Sequence, residues 1–319
     1  MREIVVIGAP SSAGAFSIGQ EQAPAALRAG GLLGQLADRG AAVRDLGDGT
    51  EFAWQPDRDR PRAQNLAAVC STVAHVRARV ARRGEAFALV LGGDCTVGIG
   101  TVAGLADDHA DVGLVYLDLH ADLNVPSSVP DGALDWMGLA HMLALDDAED
   151  VLCEAGPRLP LLDPGRVVLL GHDLGEATGW ERSVIVRERI ARIDIDEVRR
   201  DAVEAARSAL ARLPSNARIA VHFDVDVVSF NDAPIAENTK RGTGVPLDLA
   251  LAAVATLVAD PRVAALTVSE LNPTHAAADP GSLERFSEGL AGALLEYSPA
   301  ATATEGERDD GADRGAGLR

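Results

Sequence analysis

Three stretches, Leu91-Gly-Gly-Asp-Cys-Thr-Val-Gly-Ile-Gly100, Tyr116-Leu-Asp-Leu-His-Ala-Asp-Leu-Asn124 and His222-Phe-Asp-Val-Asp226, decide how this chain folds. Each ends a short apolar run with side chains that bind cations: Cys95, then Asp118, His120 and Asp122, then Asp224 and Asp226. An α/β sheet collects the carboxyl ends of its strands at one edge, so such residues converge there. Four carboxylates, one imidazole and one thiol are too many for one small ion. They suit two divalent cations that share bridging carboxylates, with a water between them as nucleophile. Taken alone, Asp-x-His-x-Asp also reads as a capping aspartate beside a surface histidine. The second motif shifts the balance, because Asp224 and Asp226 beside a core strand are costly without a cation or strong donors. A phosphoryl-transfer reading of Asp-x-Asp would want a lysine near the phosphate, and the chain has only Lys240.

Around these motifs, strands and helices alternate. Strands are expected at Ile4–Ile7, Ala88–Leu91, Val112–Leu117, Arg166–Leu170, Ile219–Phe223 and Val263–Val268. Helices are expected over about 22–39 with a break at Gly30 and Gly31, and over 61–83, 96–105, 196–212, 247–259 and 281–296. Repeated strand and crossover-helix units require a mostly parallel central sheet with helices on both faces, a three-layer α/β/α fold. No Pro/Gly/Ser linker divides the chain, so one domain is read over 1–301. The segment from Thr302 to Arg319 has no apolar periodicity and reads as a disordered tail. With aromatics at 3%, the core must rely on Ala, Val and Leu, and close helix packing through alanine is expected.

Charge narrows the partners. The 48 acidic and 29 basic residues give a net charge of −19, which opposes nucleic acid and anionic membranes and favours a cationic small molecule or metal. Apolar stretches are interrupted by charges before about 18 residues, so no membrane span is read. The first residues enter a strand at once, so no signal peptide is read either. Cys70, Cys95 and Cys153 are odd in number and widely spaced, which argues against a disulfide framework and for a cytoplasmic location. Nothing in the sequence separates a monomer from a homo-oligomer.

The pattern strongly resembles the arginase and agmatinase family, the manganese-dependent ureohydrolases, from Val6-Ile-Gly-Ala-Pro10 and Leu46-Gly-Asp-Gly49 to Glu270-Leu-Asn-Pro273. The resemblance implies two Mn(2+) ions, the first held by Cys95, Asp118, Asp122 and Asp224 and the second by Asp118, His120, Asp224 and Asp226. It implies that a metal-bridging hydroxide attacks a guanidinium carbon, that Glu270 receives the guanidinium, and that Asn124 contacts the α-carboxylate of an amino-acid substrate.

The chain departs from the family pattern at three places. The usual Gly-Gly-Asp-His has Cys95 in place of its histidine, and a thiolate adds negative charge and tilts selectivity from manganese toward zinc. An antibiotic-pathway hydrolase of Nω-hydroxy-L-arginine shares this change, so the likeness implies that substrate, with hydroxyurea and L-ornithine as products. In the loop Val129–Trp136 the family's serine and histidine are matched by Asp131, which would repel a carboxylate, and by Asp135, which could shuttle protons only with a raised pKa. His141 on the following helix is a further candidate. After Val167–Asp173 the family's aspartate for the α-ammonium falls near Gly175, with Glu176 as the possible substitute. The competing readings are an arginase releasing urea from L-arginine or another guanidino acid, and a silent family member that binds such a ligand without turnover.

Overall fold

The computed structural model describes residues 3–295; the tail read at 302–319, and the domain end at 301, lie outside the described residues. Eight strands form one sheet: β1 (Glu3–Gly8), β2 (Ala42–Asp48), β3 (Phe87–Leu91), β4 (Val112–Leu117), β5 (Val167–His172), β6 (Ala191–Asp194), β7 (Arg218–Asp224) and β8 (Val263–Ser269). Their order is β2-β1-β3-β8-β7-β4-β5-β6, and every pairing is parallel. The last two strands fill the centre, between β3 and β4. Alternation divides each strand between two cores: Ile4 and Val6 of β1 face one helical layer, and Val5 and Ile7 face the other. The first layer includes helices Ala202–Arg212, Leu247–Val258 and Pro280–Leu295; the second includes Leu66–Ala81 and Val97–Ala106. This is the three-layer α/β/α architecture expected.

The arrangement sets the site. Leu117, Phe223, Val268 and Leu91 lie in one row across β4, β7, β8 and β3, in direct register. The residues that follow them, Asp118, Asp224, Ser269 and Gly92, therefore emerge at one level from four adjacent strands. Ligand crevices in parallel sheets form at this edge.

Three details differ from the sequence reading. Edge strands β2 and β6 were not foreseen; β2 buries none of its residues and carries Arg44, Asp45 and Asp48, so it has no apolar alternation to read. The helix expected from 61 begins at Leu66, because the Asp57 carboxylate gathers the amides of Asp59, Arg60 and Asn65 into a turn. The helix expected over 196–212 is two, Ile195–Arg200 and Ala202–Arg212, broken at Asp201, whose side chain caps the second by accepting from the Glu204 amide. All three cysteines are free, and among the described residues no helix is long and apolar enough to cross a membrane.

Helices Leu66–Ala81 and Val97–Ala106 approach closely at Gly100 and Gly104. A Cβ at Gly104 would stand 2.6 Å from Val80 Cβ and 2.7 Å from the Arg77 carbonyl oxygen. A Cβ on Gly34, exposed in helix Leu32–Asp38, would meet nothing within 4 Å. Gly34→Ala is therefore expected to stabilise the protein by about 0.5–1 kcal/mol through helix propensity. Gly104→Ala gains the same propensity but forces the helices apart, at a cost of about 1–3 kcal/mol. Urea unfolding should show the two substitutions moving stability in opposite directions; equal stabilisation by both would contradict this packing.

Candidate metal centre and substrate cavity

Gly92 and Gly93 turn the chain out of β3, and only glycine fits at 93, where a Cβ would fall 1.6 Å from the Ser11 carbonyl oxygen. The turn divides Asp94 from Cys95. Asp94 faces the loop and accepts from the Gly14 amide at 2.9 Å and the Thr96 amide at 3.0 Å, so it shapes the turn. Cys95 faces the strand ends, with Sγ 3.0 Å from Asp224 Oδ2 and 3.3 Å from His222 Nε2. The Asp118 Oδ1 accepts from the His120 amide at 2.6 Å, and Asp224 Oδ1 accepts from the Asp226 amide at 2.7 Å. His120 Nδ1 stands 3.0 Å from Asp226 Oδ2 and 3.5 Å from Asp118 Oδ1.

Two sets of potential ligand atoms result, each within 4.8 Å of one another: Cys95, Asp118, His222 and Asp224, and Asp118, His120 and Asp226. Asp118 belongs to both. The expected sets are changed in three respects. Asp224, expected to hold both ions, belongs to the first group alone. Asp122, expected with the first ion, lines the same cavity but stands outside both groups; its backbone is left-handed at φ 49° and its Oδ2 accepts the Tyr116 hydroxyl at 2.5 Å. His222, not singled out from the sequence, joins the first group. The signal was present: His222 precedes Asp224 by two residues on a strand, so both point to one face. Its ring stacks on Tyr116, its register partner on β4, with centroids 4.2 Å apart and planes at 2°.

The electrostatics ask for positive charge. Burial, then Asp226, raises the Asp118 pKa to about 6. Burial first, and neighbouring carboxylates second, push Asp122, Asp224 and Glu270 well above the usual range, and burial with Asp224 pushes the Cys95 thiol up. Asp226 goes the other way: burial would raise it, but His120, with the hydrogen bond from Asn238 and the contact with Asp118, outweighs that, and Asp226 and Asp118 in turn hold His120 charged against its own burial. Burial lowers His222 to about 3, so it stays a neutral imidazole, the form that ligates metals. Asp118 Oδ2 and Asp226 Oδ1 are buried with no hydrogen-bond partner. Among the described residues, no arginine or lysine lines the cavity. Crowded, desolvated carboxylates with orphaned oxygens, a thiol and two imidazoles fit a pair of divalent cations.

The centre opens into a cavity of about 620 Å³. Glu270 projects into it from a left-handed backbone position at φ 62°, its Oε1 accepting from the Cys95 amide at 2.9 Å and its Oε2 from Gln20 Nε2 at 3.1 Å. Asp135 also lines the cavity, buried, and burial followed by Asp94 pushes its pKa well up. Asp131 stands at the exposed rim. Three other candidates are elsewhere. Asn124, read as the α-carboxylate contact, is absent from the cavity wall; its Oδ1 accepts from Thr178 Oγ1 at 2.9 Å and Ser128 Oγ at 3.1 Å. Glu176, read as the ammonium partner, is drawn away by Lys240, whose Nζ is 2.5 and 2.7 Å from its oxygens. This also removes the only lysine from any phosphate role at the site. His141 is fully buried, with Nδ1 2.6 Å from the Met137 carbonyl oxygen. Glu237 lines the cavity and was missed; no motif in Ala233-Pro-Ile-Ala-Glu237 signals it.

Comparison with known proteins agrees with this geometry. A match to the arginase family extends over residues 2–287. The arginase of Bacillus subtilis (strain 168) is 29% identical over 250 residues, covering 77% of this chain and 80% of that protein. The native structure of arginase from Bacillus caldovelox superposes with a TM-score of 0.81 at 25% identity, over 94% of this chain and all of that one. Proclavaminate amidino hydrolase from Streptomyces clavuligerus shares the fold, with a TM-score of 0.67 at 23% identity over 93% of this chain and 91% of its own. The chain belongs to the arginase family, a family of metal-dependent hydrolases.

Proposed function

We propose that this chain hydrolyses the guanidino group of an amino acid in the manner of an arginase, with L-arginine as the reference substrate and urea and L-ornithine as products. The observation that carries the reading is the placement of Glu270 on the same cavity as two ligand groups that share Asp118. Two divalent ions, manganese by likeness to the family, would neutralise the carboxylates and lower the pKa of a water between them. The remaining work falls to the protein. Glu270, fixed by the Cys95 amide and Gln20, presents a buried carboxylate to a planar cation and orients its central carbon toward the strand ends. Water adds to that carbon, the bond from it to the nitrogen attached to the substrate's side-chain carbon breaks, and the departing amine takes a proton. Asp135, whose burial and the nearby Asp94 favour its protonated form, is the proposed source of that proton.

A second reading rests on Cys95. A thiolate ligand weakens the Lewis acidity of its ion, and Nω-hydroxylation makes a guanidine less basic, so its carbon is attacked with less loss of cation stabilisation. Nω-hydroxy-L-arginine would then be preferred. The relatives named above as arginases support the first reading.

An assay of L-arginine, Nω-hydroxy-L-arginine and agmatine with manganese or zinc, with products identified, should give the highest kcat/KM for L-arginine. A roughly hundredfold preference for the hydroxylated substrate, about 2.7 kcal/mol of differential transition-state binding, would establish the second reading instead. Turnover of none of them, nor of another guanidino acid, would refute hydrolase function. Asp135→Asn should lower kcat by about 10²-fold or more with little change in KM; unchanged kcat would remove it as proton donor. Elemental analysis after dialysis should find Cys95→Ala short of about one ion per chain and Cys95→His fully loaded. Equal metal content in Cys95→Ala and the parent protein would show that the thiol is not a ligand.

A further inference from the structure

The centre accounts for a guanidinium but leaves the other end of an amino-acid substrate without a partner, since Glu176 is paired with Lys240 outside the cavity. Besides Asp122, which accepts the Tyr116 hydroxyl, a second buried carboxylate of the cavity wall has no part in the chemistry so far. Glu237 is 8% exposed, and both its oxygens act as acceptors: one takes the Ser17 hydroxyl, the other Asn272 Nδ2 at 2.5 Å. Both donors are neutral, and among the described residues no arginine or lysine lines the cavity, so no fixed cation occupies this carboxylate.

Its position is tied to that of Glu270. The Glu237 amide donates to the Glu270 carbonyl oxygen at 2.7 Å and the Asn272 amide to that of Ile235 at 2.8 Å, around the antiparallel bridge of Ala236 with Leu271. The two glutamates are thus held by the same short ladder. Gly19, at φ 138°, lets the N-terminal loop press on Asn272, whose amide a Cβ at 19 would meet at 2.1 Å. The contact fixes the amide that orients Glu237. The remaining carboxylate at the rim, Asp131, is exposed and already accepts from the Ala133 amide at 3.1 Å.

We propose that Glu237, oriented by Ser17 and Asn272, is the subsite for a primary ammonium on the substrate, so that the cavity selects guanidino compounds carrying a second positive charge. The proposal rests on the hydrolase reading for the guanidinium end. It assigns to Glu237 the role that the sequence placed near Glu176.

Isothermal calorimetry of the manganese-loaded protein with L-ornithine and with 5-aminopentanoate, which differs by lacking the α-ammonium, tests it without turnover. The parent protein should bind L-ornithine at least about tenfold more tightly, the scale of one charge-assisted hydrogen bond. Glu237→Gln should bring the two affinities within about threefold, and Glu237→Asp, which keeps the charge, should retain part of the preference. No preference or no binding in the parent protein, or an undiminished preference in Glu237→Gln, would overturn the assignment. In turnover, the ratio of kcat/KM for L-arginine to that for 5-guanidinopentanoate should fall at least about tenfold in Glu237→Gln, through KM rather than kcat. Absence of hydrolysis by the parent protein would refute the hydrolase reading, while the calorimetry would still decide the role of Glu237.

Discussion

Buried negative charge at one edge of the sheet is the constraint on which the rest of this structure depends. Asp118, Asp224, Asp226, Asp122 and Glu270 are all at most 8% exposed, and only His120 among their neighbours is held in a charged form. Burial and mutual repulsion push most of these carboxyl groups toward protonation. A fold that carries this cost at the ends of its four central strands calls for cations, in the proposed reading divalent ions at the floor of the cavity and a guanidinium against Glu270. The net charge of −19 extends the same preference outward as a field that attracts cationic ligands.

The donor set shows how a departure from the family pattern can be accommodated. At position 95 the likeness leads one to expect an imidazole, and the chain has a thiol. His222, on β7, brings Nε2 to 3.3 Å from Cys95 Sγ and joins the same ligand group, so the first group keeps an imidazole, from a strand separated from β3 by β8. Space for that ring depends on Gly98, where a Cβ would fall 2.6 Å from His222 Nδ1. If both groups ligate as proposed, a softer first group beside a harder second one, made of carboxylates and His120, would give the two positions different metal preferences.

Much of this was legible in the sequence because short apolar runs ending in Asp-x-His-x-Asp and Asp-x-Asp fix both strand type and strand end. Of the groups read there, Cys95, Asp118, His120, Asp224 and Asp226 do come together. The edge strands were not legible because they bury little. Asn124 and Glu176 were placed by likeness alone, and local partners the sequence does not reveal, Thr178 and Ser128 for one and Lys240 for the other, hold them away from the cavity. Glu237 escaped notice because its importance comes from the Ala236–Leu271 bridge, a contact across 35 residues that no spacing rule reports.

In this reading the two ligand groups hold two ions joined through Asp118. Crystals grown with manganese and measured on both sides of its absorption edge decide the matter. Two anomalous peaks are expected on either side of the Asp118 carboxylate, one beside Cys95, His222 and Asp224 and the other beside His120 and Asp226. A single peak, or peaks that Asp118 does not touch, would contradict it.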